Sequence, residues 1–155
     1  MSRNRLIPDI IRRSPEDSRS SMDPDIKAAF DQMPSNIRQM ALQIRDLIRD
    51  TARTLPETGG VTECLKWGQP AWLPLSKAAG TTVRIGADDG GLALYVHCQT
   101  GLIEEFRQHY GDKFRFSGNR ALLIDGSQPL PDSELAHCIA LALTFPVWVT
   151  VNVLG

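Results

Sequence analysis

From Ile37 onward the apolar residues fall at Ile37, Met40, Ala41, Ile44, Leu47, Ile48 and Leu55, the spacing of one face of a helix. This predicts an amphipathic helix that Ser35 can cap and that must end before Pro56. A shorter helix precedes it. Asp23 supplies an N-cap, Pro24 fits the first helical position, and the run reaches about Met33 before Pro34-Ser35 breaks it. The middle of the chain changes period. Val61 to Trp67, Ala71 to Leu75, Thr81 to Ala87 and Leu92 to His97 are short runs rich in β-branched and aromatic residues. Turn signals separate them: Gly68-Gln69-Pro70, Ala79-Gly80 and Asp88-Asp89-Gly90-Gly91. Such short connections force antiparallel neighbours, because a parallel pair needs a crossover of a dozen residues or more.

Leu102 to Tyr110 then reads as a helix ended by Gly111, and Lys113 to Ser117 and Ala121 to Ile124 as two strands around Gly118-Asn119. Pro131-Asp132-Ser133-Glu134 opens a last helix with apolar positions at Leu135, Ile139, Leu141, Ala142 and Phe145. The expected fold class is α+β: a single antiparallel sheet of about five or six strands, covered mainly on one face by helices, with two N-terminal helices and a C-terminal one. The boundaries expected are a basic, disordered extension over 1–22, the folded domain over 23–145, and an apolar β-like tail over 146–155. In that tail valine alternates with other residues from Val147 to Leu154, and no acidic or basic side chain occurs from Cys138 to Gly155. Pro146, Asn152 and the strand-like pattern argue against a membrane span. An end strand of this kind adds an edge to the sheet or joins subunits, so a homodimer through Val147–Leu154 is one expectation.

Composition changes little in this picture. The chain has 155 residues, with 42% hydrophobic and 23% charged, as in ordinary globular domains. Seventeen basic and eighteen acidic side chains leave a net charge of −1, which gives no global field to favour nucleic acid or an anionic membrane. The charge is uneven, since the first 22 residues carry five arginines and three acids. Arg12-Arg13 is not an export signal, because Ser14-Pro15-Glu16-Asp17 follows where an apolar stretch is needed. Three cysteines, Cys64, Cys98 and Cys138, have no CxxC spacing and sit in apolar runs, which points to free thiols in a reducing cytoplasm.

Candidate chemistry is sparse. His97-Cys98 and His137-Cys138 cannot each chelate one ion, because adjacent side chains diverge on a strand or a helix. Cys98 and His109 are a thiol and an imidazole with nothing local to bring them together, and no GxSxG elbow or phosphate-cradling glycine loop is present. No catalytic constellation is found, so a non-enzymatic protein is expected. On the long helix Arg38, Arg45 and Arg49 fall within about 40° of one another, with Arg53 just beyond. They can hold phosphates or carboxylates, or simply lay their stems over the core edge and pair with Asp46 and Asp50. Lys66-Trp67-Gly68-Gln69-Pro70-Ala71-Trp72 places two indoles around a turn. They either line an apolar pocket, with Gln69 and Lys66 as polar handles, or cover a corner of the core.

This Lys66, Trp67, Gly68 and Pro70 pattern, with Ile37 to Thr51 ahead of it and Arg115-Phe116-Ser117-Gly118-Asn119-Arg120-Ala121 behind, resembles the YdhG-like family of small bacterial domains of unknown function. The resemblance spans about Asp23 to Phe145 and implies an α+β fold. Some members of the family are described as frataxin-like iron chaperones, so the resemblance implies iron as a candidate cargo. Here the acids that would hold it (Asp23, Asp25, Asp31, Asp46, Asp50, Glu104 and Glu105) are scattered and form no dense ridge. The expected function is therefore a cytoplasmic binding domain for a small organic molecule or anion, using Lys66, Trp67, Gln69, Trp72, Tyr95 and Arg115. The iron-binding chaperone is the alternative.

Overall fold

The structure is a computed structural model and describes residues 22–76, 80–88, 90–97 and 101–145. Residues 1–21 of the leading extension, Cys98 and the tail from Pro146 lie outside the described residues, as does the homodimer proposed for that tail, whereas Met22, expected in the extension, is buried in the core. Helix α1 (Pro24–Asp31) is capped by Asp23, whose carboxylate accepts from the Asp25 N–H at 2.9 Å. Helix α2 (Ser35–Arg53) follows. Its N-cap is Pro34 and not Ser35, so the hydroxyl expected to close this end makes no capping bond. A single 3₁₀ turn (Pro56–Thr58) leads into strands β1 (Val61–Lys66), β2 (Gln69–Pro74), β3 (Val83–Asp88) and β4 (Gly91–Tyr95). Helix α3 (Leu102–Tyr110), strands β5 (Arg115–Ser117) and β6 (Ala121–Asp125), and helix α4 (Asp132–Leu143) complete the order.

The six strands form one sheet in the order β1-β2-β3-β4-β6-β5, and every neighbouring pair is antiparallel. This is the α+β fold class expected from the pattern, with four α-helices among the described residues. Register divides the sheet into two faces, because successive side chains point to opposite sides. Glu63, Trp72 and Val83 are paired on one face, as are Ile85 with Leu94 and Leu94 with Leu122. Trp72, Val83, Ile85, Leu94 and Leu122 join Phe30, Ile44, Ile48, Phe106, Leu135 and Ile139 from the four described helices in one core cluster. A Leu, Ile or Phe buried in this way contributes roughly 1.5–3 kcal/mol relative to exposure, which fixes the face on which the helices lie.

The other face carries a row that crosses the whole sheet: Cys64, Ala71, Arg84, Tyr95, Ala121 and Ser117. Gly80 lets the end of α4 approach the start of β3, since a Cβ there would stand 2.0 Å from the Leu143 carbonyl oxygen. The Thr81 N–H donates to the Ala142 carbonyl at 2.9 Å beside it. Among the described residues no helix is long and apolar enough to cross a membrane.

The first hairpin turns earlier than the sequence suggests. Lys66 pairs with Gln69, so Trp67-Gly68 is the two-residue turn, and Gln69 and Pro70 belong to β2. Pro70 is tolerated because the closing pair of such a hairpin is hydrogen-bonded and the next pair is not. Its missing N–H therefore faces β3, whose register with β2 is limited to Ala71 and Trp72.

Candidate functional site

Trp67 has φ +56° and Gly68 φ +76°, both in the left-handed region. Two successive positive φ values make a type I′ turn, whose twist matches that of the flanking strands. Gly68 enters this region freely. Trp67 does not, because the left-handed conformation brings Cβ against the next carbonyl and costs an L-residue about 1–2 kcal/mol. No burial offsets that cost, since Trp67 is 89% exposed.

On the open face just inside the turn, Arg84 Nη1 donates to Gln69 Oε1 at 2.5 Å. Its guanidinium lies 5.0 Å from the centroid of the Tyr95 ring, in range for a cation–π contact. Gly86 on β3 leaves room for Gln69 in this position, since a Cβ there would meet Gln69 Nε2 at 2.4 Å. Lys66, Trp67 and Arg84 border a groove of about 420 Å³ that Leu73, Thr82 and His97 also line. Among the described residues no carboxylate lines it, and Lys66 and Arg84 make its field basic.

Trp72 lies on the opposite face of the hairpin and is fully buried. Its indole Nε1–H donates to Glu63 Oε2 at 3.0 Å. Arg45 holds the same carboxylate with two bonds, Nε to Oε2 at 2.5 Å and Nη2 to Oε1 at 2.9 Å. Arg45 is only 1% exposed and the Glu63 side chain 16%. The pair ties α2 to the edge strand, and its geometry is the planar fork that arginine offers a carboxylate. The two indoles therefore do not share one cavity. The hairpin puts them on different sides, Trp67 in the turn and Trp72 toward the helices.

The other candidate residues separate as well. Lys66, Trp67, Gln69 and Tyr95 gather around Arg84, whereas Arg115 is on β5, the opposite edge of the sheet from β1. Of the arginine row, Arg45 is in the core, Arg53 pairs with Asp50, and Arg38 donates to the Met33 carbonyl at 3.3 Å. Arg49 and Arg53 border a second cavity of about 490 Å³, beneath which lie Glu63 and Trp72.

Sequence reasoning missed Arg84 and Glu63. Arg84 was legible only as a lone cation within an apolar run. Glu63 carries a readable signal, since it alternates in phase with Val61 and Leu65 and so demands a partner if that face is covered.

The histidines and cysteines do not assemble a reactive centre among the described residues. Tyr110 Oη lies 2.7 Å from His137 Nδ1, and the His109 and His137 rings meet edge to face at 5.1 Å. Burial raises the Tyr110 hydroxyl above its usual pKa. Cys64 and Cys138 are free thiols, and burial pushes Cys138 up to about 12, which leaves it a poor nucleophile. Among the described residues no group of three or more His, Cys, Asp or Glu is placed to hold a metal ion. Several of the scattered acids serve local roles instead: Asp31 pairs with Lys27, Glu104 with Arg107, and Glu105 with His109.

No protein-family model matches the chain, and no curated protein matches it. Among solved structures, the crystal structure of a protein from the DUF1801 family, YdhG of Bacillus subtilis, matches with a TM-score of 0.54. The match covers 75% of this chain and 86% of that one at 12% sequence identity. The likeness is one of fold, and it agrees with the resemblance to the YdhG-like family drawn from the Lys66–Trp72 segment.

Proposed function

We propose that this domain is a non-enzymatic binding module whose open-face groove takes a small organic anion. The observation that carries this reading is Trp67, a large indole held in a left-handed turn conformation with 89% of its surface in water. Folding gains nothing from a bulky residue there, and asparagine or glycine would form the same turn at lower cost. An aromatic platform at the rim of a groove gives the residue a use. The charge of the ligand follows from Lys66 and Arg84, two cations in a lining that has no acid among the described residues. Arg84 is preorganised by Gln69 and Tyr95, so little side-chain freedom remains to be lost on binding. A flat apolar body against Trp67 and Leu73, with its anionic group toward Lys66 and Arg84, fits both properties.

Titration with 8-anilinonaphthalene-1-sulfonate, an aromatic anion, tests the proposal by fluorescence. Saturable binding is expected, weakened about tenfold by Trp67→Ala, the scale of one lost aromatic stack. Arg84→Ala is expected to weaken it at least as much, and the uncharged N-phenyl-1-naphthylamine to bind less well than the sulfonate. Equal affinity in wild type, Trp67→Ala and Arg84→Ala would overturn the assignment. No observation among the described residues favours iron handling over this reading.

A further inference from the structure

The second cavity lies on the covered side of the same hairpin, between the last turns of α2, the 3₁₀ turn and the start of β1. Its apolar walls are Ala52, Leu55, Pro56 and Val61, and its floor is the bonded Glu63–Trp72 pair. The charges around it nearly cancel, with one remainder. Glu63 is matched by Arg45, and Arg53 by Asp50. Glu57, on the 3₁₀ turn, is exposed and does not line the cavity. Arg49 is half-buried, lines the cavity, and has no hydrogen bond or ion pair among the described residues. A partly desolvated guanidinium with five donors and no acceptor is a site for an oxyanion, which it can grip through two parallel N–H bonds.

We infer that this cavity is a second binding site, separate from the open-face groove, for a small oxyanion-bearing molecule with a compact apolar body. The oxyanion sits on Arg49, and the body lies against Leu55, Pro56 and Val61. Glu63 does not repel it, because both carboxylate oxygens are already engaged by Arg45 and one also by Trp72. The Trp72 indole N–H, at the floor, reports on anything that enters.

Nitrogen–proton correlation spectra of the full chain test the site, titrated first with inorganic phosphate and then with phenyl phosphate. The expected result is a saturable shift of the Trp72 indole resonance with both probes, tighter for phenyl phosphate. Arg49→Ala should weaken binding by at least about tenfold, the scale of one charge-assisted contact, and Arg49→Lys should recover part of the loss. Trp67→Ala should leave the titration unchanged. An unmoved Trp72 resonance, or an Arg49→Ala titration equal to wild type, would overturn the site. Loss of the shift in Trp67→Ala would overturn its independence from the groove.

Discussion

Trp67 and Trp72 are five residues apart in one hairpin and have opposite fates. Trp72 is sealed beneath the helices, and its one polar atom is satisfied by a carboxylate that is itself held by a buried arginine. Trp67 stands in water in a backbone conformation that a smaller residue would hold more easily. The same side chain thus serves packing at one position and remains available at the other. The difference comes from where the turn falls and which face alternation assigns, not from the residue type. A large apolar side chain is informative about binding only once its face is known, because on the covered face burial alone accounts for it.

The covered side of the hairpin is most sensitive at Glu63. Glu63→Ala leaves Arg45 charged and 1% exposed without its carboxylate, and should lower stability by about 3 kcal/mol, as read by urea unfolding. A loss below about 1 kcal/mol would mean that water or another group readily replaces Glu63, and that the covered side of the hairpin is looser than described. Trp72→Phe comes next. It keeps most of the ring and removes the indole donor, so a loss of about 2 kcal/mol is expected from a hydrogen bond to a charged acceptor.

On the open side the sign reverses. Trp67→Asn should raise stability by about 1 kcal/mol, because asparagine adopts the left-handed conformation more easily and Asn-Gly is the favoured type I′ pair. The same variant should bind the naphthalene sulfonate poorly, so gain of stability and loss of binding would appear together. A destabilised Trp67→Asn would show that the exposed indole supports the fold after all.

The smallest effect concerns the thiols of the two sides. Cys138 is buried and its pKa is pushed from near 9 up to about 12 by burial. An acid held neutral in the folded state contributes stability that is fully present below the unfolded pKa. That contribution is lost as pH rises through 9 toward 12. Stability should therefore fall slightly from pH 8 to 9.5, and less so in Cys138→Ala. Alkylation by iodoacetamide, followed by mass spectrometry, should reach half-buried Cys64 before Cys138.

The elements themselves were largely legible. The period of Ile37, Met40, Ala41, Ile44 and Ile48 reappears as the buried stripe of α2, and the alternating runs in the middle of the chain became β1 to β4. Their ends were less so. Gly68-Gln69-Pro70 carries strong turn residues, yet the turn is Trp67-Gly68, because cross-strand pairing of Lys66 with Gln69 outweighs local propensity. The site was legible in part. Lys66, Trp67 and Gln69 are neighbours in sequence and remain neighbours in the fold, whereas Arg115 is carried to the far edge of the sheet by the return through α3 and β5.

By itself, then, the sequence determined the kinds of element and their order, since periodicity and turn chemistry act over a few residues and are written where they act. It also determined that the strands are mainly antiparallel, because the connections are too short for anything else. The tertiary structure alone decided which tryptophan faces water, that Glu63 finds Arg45 across 18 positions, and that Arg84 meets Gln69 and Tyr95 on the open face. Those outcomes depend on register between strands and on which side of the sheet the helices cover, and both are fixed by contacts between segments distant in the chain.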